Sequence, residues 1–379
     1  MSQRVLFFSR DPGGANVIIP LVRGFQDQGY SVDLYGKDMA LDRYRAAGLV
    51  GVDLTAEVKD AGYEELQRLL RGISPDLVIT GTSANDFTEK HLWRAAGSLG
   101  IPSFAVLDQW LNYGIRFSNH GLDRISLYEQ DKTHPYLPAR ILVMDETARE
   151  DMTRLGFEPG ILEVVGHPYL EAVAGEKKRL DAAAGLRDRL GVGADDYLIV
   201  FAPEPISKVY NETDDSPHYW GYTERTILKE VVAGLERVCA QCGRKVRVVI
   251  RMHPQERPDN YDEIIREHGG RISLLMDSKS NVFELMLCSD LIMGMSSMFL
   301  LEAAALDRPI VSVLIGLARE SPFILDRTGA SPSIRSRDEL ESFLYKAIAY
   351  GQAPVVSLSG YQGAAARVIN LAEGLLCRG

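Results

Sequence analysis

Residues Asp290–Val313 read DLIMGMSSMFLLEAAALDRPIVSV. The apolar run Leu291 to Met293 predicts a buried strand, and Gly294-Met295-Ser296-Ser297 a small-residue turn. A helix from Met298 to about Leu306 follows. Arg308-Pro309 closes it, and Ile310 to Val313 is a second buried strand. A strand, a turn with two hydroxyls and a helix start bring unpaired backbone N–H groups and the positive end of a helix dipole to one point. That point suits an anion, and a diphosphate in particular. Glu302 lies about one and a half turns into the helix, where a carboxylate can meet a ribose diol. Any parallel sheet makes such turns with Ser as an N-cap, so the rest of the chain has to decide.

Moving backwards, the same strand–turn–helix order recurs. Tyr197 to Phe201 closes on Ala202-Pro203-Glu204-Pro205, and Lys245 to Arg251 closes on Met252-His253-Pro254. Between them, Ser207 to Trp220 is polar, aromatic and aperiodic, the pattern of a mobile functional loop. A long helix, Thr223 to Gln241, follows it. Ser336 to Leu340 carries a capping box for a helix that runs to about Tyr350.

The first half has the same organisation. Val5 to Phe8 runs into Ser9-Arg10-Asp11-Pro12-Gly13-Gly14, then a helix with apolar spacing to Phe25, then the strand Ser31 to Tyr35. This loop lacks the GxGxxG dinucleotide fingerprint. Asp76 to Thr80 and Ser103 to Leu107 are further buried strands. The second leads directly into Asp108-Gln109-Trp110-Leu111-Asn112-Tyr113-Gly114-Ile115-Arg116. Ligands of open α/β sheets bind beyond the carboxyl ends of strands, so the acids Asp11 and Asp108 are candidates for a role beside a ligand. Asp108 is favoured, because Trp110 and Tyr113 could bury it and raise its pKa. Arg10, Arg116, Trp110, Gly13 and Gly14 lie in the same strand-end loops. An ion pair of Arg116 with Asp108 that only pins the loop is the competing reading.

Composition sets the limits. The chain has 379 residues, 46% hydrophobic and 25% charged, which suits two soluble globular domains. A net charge of −10 argues against nucleic acid as a partner, though a local basic pocket can still hold a small anion. The four cysteines are irregularly placed; Cys239 and Cys242 have CxxC spacing without a second pair, which predicts reduced thiols and no metal. No signal-peptide pattern opens the chain and no apolar window reaches about 18 residues, so the expected location is cytoplasmic, with no integral membrane segment.

Three segments, in order, carry a family resemblance. Val164-Val165-Gly166-His167-Pro168 looks like the linker step of the GT-B glycosyltransferase superfamily. Arg251-Met252-His253-Pro254 is similar to its strand-end His-Pro motif, and Asp290 to Ile310 to its donor element. The superfamily includes the non-hydrolysing UDP-N-acetylglucosamine 2-epimerases and the CDP-glycerol and capsule-type transferases. The resemblance implies an α/β fold of two Rossmann-like domains facing across a cleft. The expected boundaries are residues 1–168 for an acceptor domain, 169–194 for a linker and 195–355 for a nucleotide-donor domain. Residues 356–379 would form a helix packing back on the first domain. By the same resemblance Ser296 and Ser297 hold a nucleotide diphosphate, and His253 adds a hydrogen bond, with a positive charge if protonated. Glu302 binds ribose, and Glu204 meets the base or phosphates. The first domain would supply the base, Asp108 or Asp11, for an acceptor hydroxyl, and Arg10, Arg116, Trp110, Gly13 and Gly14 would hold an anionic acceptor. No cofactor or metal is expected, since the nucleotide-sugar is a substrate.

The chain departs from its relatives at Asp108-Gln109-Trp110, where CDP-glycerol-type transferases carry Trp-His-Gly. Glycosyl transfer to a polysaccharide, glycolipid or small hydroxyl acceptor is the leading expectation. A 2-epimerase or hydrolase is the alternative, and a non-catalytic nucleotide-binding module the second. A homodimer is left open, because relatives of the 2-epimerase type often pair.

Overall fold

A computed structural model describes residues 3–210, 212, 213, 216, 218–253, 256–269 and 272–377. Pro254 of the His-Pro pair lies outside them, as do parts of the 207–220 loop.

Strand β1, Arg4–Ser9, is buried at every position after the first, the signature of a central parallel strand covered on both faces. It pairs on one side with β2, Ser31–Gly36, which carries the short β3, Val52–Asp53. On the other side follow β4 (Leu77–Thr80), β5 (Ser103–Val106), β6 (Arg140–Val143) and β7 (Leu162–Val164). The order β3-β2-β1-β4-β5-β6-β7 is all parallel and reverses direction between β1 and β4. The helix Pro12–Asp27 covers one face with Val17, Ile18, Leu21, Val22 and Phe25, all fully buried.

A second sheet holds β8 (Tyr197–Ala202), β9 (Val246–Arg251), β10 (Ser273–Asp277), β11 (Leu291–Gly294) and β12 (Ile310–Ser312). Its order, β10-β9-β8-β11-β12, is again parallel and reverses between β8 and β11. Gly294 stands beside Ala202 in register, and a Cβ on Gly294 would lie 2.9 Å from the Ala202 carbonyl oxygen. A glycine there lets the two strand ends close up at the crevice where such sheets bind ligands.

The chain divides into two compact units, residues 1–172 with 359–379, and residues 173–358. The segment read as a linker is helical at Pro168–Ala174 and Leu180–Arg189, and from residue 173 it belongs to the second unit. Arg187 explains this: its guanidinium donates to the Cys288 and Asp196 carbonyls and to Asp290. Residues 359–379 cluster with the first unit. There Glu171 accepts from the N–H groups of Gly363 and Ala365 at 2.9 and 3.1 Å, capping the helix Ala364–Leu376 from a distant part of the chain. The aperiodic 207–220 stretch opens as a short helix, Ile206–Tyr210, whose Tyr210 ring stacks on buried Trp220. The capping box at Ser336 and Glu339 forms as read.

Candidate active site

In the second unit, β8, β9 and β11 lie side by side and end together. After β11 the chain turns through Met295 and Ser296 to Ser297, the N-cap of the helix Met298–Ala305. Ser312 fixes the turn by donating its hydroxyl to the Met295 carbonyl at 2.6 Å. Asp290 works at the opposite end of the strand, where it accepts from the Leu198 N–H at 2.7 Å and ties β11 to β8. The Ser297 side chain does not cap its own helix, and its buried Oγ has no partner among the described residues.

An acid fills the place read as the diphosphate seat. Glu204 Oε1 accepts from the Ser296 N–H, and Oε2 accepts from Ser296 Oγ at 3.0 Å; the Ser297 N–H also points at it. Burial pushes this carboxyl up to about 7, against the hydrogen bonds from Ser296 and Ser297 that favour its charged form; Glu256 adds to the upward push. Glu256 plays a similar part at the end of β9, where Oε2 accepts from the His253 N–H at 2.8 Å and Oε1 from the Tyr261 hydroxyl. Burial, with Lys208 nearby, holds the His253 imidazole below its ordinary range. His253 is therefore a neutral hydrogen-bonding group, and the positive charge allowed to it from the sequence is disfavoured. Glu302 sits partly exposed on the helix Met298–Ala305. Behind the cluster, Glu224 accepts from the Ser207 N–H and hydroxyl, fastening the loop after β8 to the helix Glu224–Cys242.

In the first unit, Asp11, Gly13, Gly14, Asp108 and Arg116 come together beyond the ends of β1, β4 and β5. Asp108 is 5% exposed and Arg116 6%. Arg116 Nη1 donates to Asp108 Oδ1 and to Thr82 Oγ1, each at 2.7 Å, and to the Thr82 carbonyl at 2.9 Å. Asp108 Oδ2 presses on Gly13, where a Cβ would lie 1.8 Å from it. The Asp108 carbonyl accepts from His167 Nε2 at 3.2 Å, while His167 Nδ1 accepts from the Leu170 N–H. Full burial keeps His167 uncharged, its pKa lowered to about 4. Trp110 does not wrap Asp108: its indole N–H donates to Asp145 at 2.8 Å. Arg116 and Trp110, read as acceptor-binding, are thus buried and engaged internally.

Asp11 is different. It is the N-cap of the helix Pro12–Asp27, yet its side chain makes no capping bond and stays about two-fifths exposed. Arg10 Nη1 reaches it at 3.3 Å while Arg10 Nε holds Asp38 at 2.6 Å; Lys37 pairs with Asp86 at 2.8 Å.

The sequence reading missed Glu89. It is 1% exposed, Oε2 has no partner among the described residues, and burial pushes its carboxyl up to about 8, helped by Asp11 and Asp86. Its signal was present, since Glu89 shares the helical spacing of buried Leu92, Trp93 and Ala96. The next residue, Lys90, is buried too and donates to the carbonyls of Ile115, Ser118 and His120.

Residues 162–330 match the sequence profile of the family described as CDP-Glycerol:Poly(glycerophosphate) glycerophosphotransferase, a span of less than half the chain. No curated protein matches. Among solved structures, UDP-GlcNAc 2-epimerase from Neisseria meningitidis bound to UDP-GlcNAc is similar, with 12% identity and a TM-score of 0.68 over 98% of this chain and 99% of that one. UDP-GlcNAc 2-epimerase from Methanocaldococcus jannaschii gives 14% and 0.67 over the whole of both chains. A glycosyltransferase from Rickettsia africae gives 9% and 0.59, again over both whole chains. These likenesses establish the fold: the chain has the GT-B architecture of two parallel α/β sheets. Among the described residues, no helix is long and apolar enough to cross a membrane.

Proposed function

We propose that this protein is a cytoplasmic transferase that moves a sugar from a nucleoside-diphosphate donor to a hydroxyl acceptor without a metal. One observation carries the reading. The N–H groups of Ser296 and Ser297, at a helix start on the β8/β11 crevice, already hold a carboxylate, so the seat is built for an anion. The donor diphosphate binds there, Ser297 Oγ and neutral His253 add hydrogen bonds, and Glu302 takes the ribose. The acceptor oxygen attacks the anomeric carbon, and the bond to the diphosphate breaks with its electron pair leaving on phosphate. The helix dipole stabilises that charge. Asp11 takes the acceptor proton, because its carboxylate is the accessible one, whereas Asp108 is committed to Arg116. Arg10, Gly13 and Gly14 border the acceptor.

The profile match at 162–330 favours a second donor class of the CDP-glycerol kind, in which a glycerophosphoryl group moves instead of a sugar. Thermal shift with UDP, CMP, CDP, GDP and dTDP separates these, since a ligand of the native state raises Tm. Diphosphates are expected to shift Tm above the matching nucleosides, less so in high salt. No shift with any of them refutes the reading. Incubating a UDP-sugar without acceptor tests the epimerase alternative, which isomerised or hydrolysed sugar would support.

A further inference from the structure

The seat at Ser296 and Ser297 is a general anion site by its chemistry, and free phosphate is an abundant anion. The structure shows what stands in its way. Glu204 lies between Pro203 and Pro205, and its backbone carbonyl accepts from the Ile206 N–H at 2.7 Å. Its neighbours leave it little freedom: the following proline restricts its own backbone, and the two prolines have fixed φ. From this fixed base the side chain reaches the Ser296 N–H and hydroxyl and the Ser297 N–H. An acid tethered in place competes at a high effective concentration, which a free anion of one phosphate cannot match. A nucleoside diphosphate brings further contacts through its second phosphate, ribose and base.

We propose that Glu204 is the specificity-determining residue of this seat, an internal competitor that refuses free phosphate and admits a nucleoside diphosphate as Glu204 takes up a proton. The inference rests on the diphosphate reading given above. Proton uptake follows from the tether. The displaced carboxyl stays beside the incoming diphosphate instead of reaching bulk water, and two adjacent anions disfavour each other. The charged and titratable groups facing it are Glu256 from the β9 end, Tyr222 with Arg319 beside it, and neutral His253 with Lys208. Glu256 is itself pushed up by burial, and its negative charge adds to the upward push on Glu204. With Glu204 pushed up to about 7, the competitor gains full charge as pH rises through neutrality.

The test is calorimetry on the full chain with UDP and CDP, across about pH 6 to 8 and in buffers of different ionisation enthalpy. For whichever nucleotide binds, wild-type affinity is expected to fall as pH rises through 7, approaching about tenfold per pH unit, with protons taken up. Glu204→Gln should flatten that profile and tighten binding on the alkaline side. Millimolar inorganic phosphate should displace nucleotide from Glu204→Gln and leave the wild type bound. Glu204→Asp retains the charge but falls short of the amides, so it should also become phosphate-sensitive; it guards against a Gln variant that fails to fold. A flat wild-type profile, proton release on binding, or equal phosphate sensitivity in wild type and folded variants overturns the proposal while the seat itself stands. If neither nucleotide binds wild type or variant at any pH, the diphosphate reading falls, and this inference with it.

Discussion

Asp108 Oδ1 and Arg116 Nη1 meet at 2.7 Å, with both side chains less than a tenth exposed. The pair joins the loop after β5 to the loop after β4, because the same guanidinium nitrogen also reaches Thr82. Removing one partner of a buried pair leaves the other charge without compensation, at a cost of about 3–5 kcal/mol. Arg116→Ala should lose about that much stability in urea titration, and Arg116→Lys should recover part of it, since Nη1 alone makes all three bonds and an ammonium also offers three donors. A loss below about 1 kcal/mol would place the pair among weak surface contacts and sink this account.

Gly13 is required by the same pair. A Cβ there would sit 1.8 Å from Asp108 Oδ2, and Asp108 cannot swing away without leaving Arg116. Gly13→Ala should therefore cost about 1–3 kcal/mol through overpacking, although Ala favours helix over Gly. Combining it with Asp108→Ala, which removes the clashing oxygen, should give less than the sum of the two losses, because both act on one contact. Strict additivity in that double-mutant cycle would contradict the coupling.

Asp11→Asn separates catalysis from folding. The Asp11 side chain caps nothing and is substantially exposed, so Tm should change little. Transfer to the acceptor should fall by about 10²–10⁴ in kcat, the usual worth of a general base. Nucleotide binding, measured by calorimetry, should be unaffected. Retention of full activity by Asp11→Asn, with loss in Asp108→Asn at unchanged stability, would return the base to Asp108.

Glu89 makes stability depend on pH. Its folded-state pKa, about 8, lies above the ordinary 4.5, so between those values the native state holds more protons than the unfolded chain. Stability from this group is intact below about pH 4.5 and is lost as pH rises towards 8. Glu89→Gln keeps the shape and removes the titration. The variant should match the wild type near the acid end and exceed it at pH 8, read as the difference in Tm across the range. A difference that grows in the opposite direction would show that Glu89 is ionised in the native state.

Much of this molecule was legible in its amino acids. Runs such as Leu77–Thr80 and Tyr197–Ala202 are largely apolar and buried throughout because a central parallel strand is covered on both faces, and that separates them from helices of alternating polarity. The capping box at Ser336 and the turn at Ser296 depend on short-range chemistry, which sequence states directly. Other elements were not legible for an equally physical reason. Strand β3 has two residues and helix Leu54–Glu57 four, too few to show any period. The helix Pro168–Ala174 begins on the proline of the Gly166-His167-Pro168 step, which reads as the start of a linker.

By itself the sequence determined two βα sheets, the strand-end loops that carry Asp11, Asp108 and Glu204, and the helix start suited to an anion, because periodicity and turn residues act over a few positions. The tertiary structure alone decided which charges are spoken for. Arg116 pairs across eight residues with Asp108, Trp110 turns to Asp145, and Glu204 reaches Ser296 across 92. The contact of Glu204 with Ser296 rests on the sheet order, which sets β8 beside β11, while the Asp108–Arg116 pair, one of two readings open in the sequence, is decided by the burial of its loop.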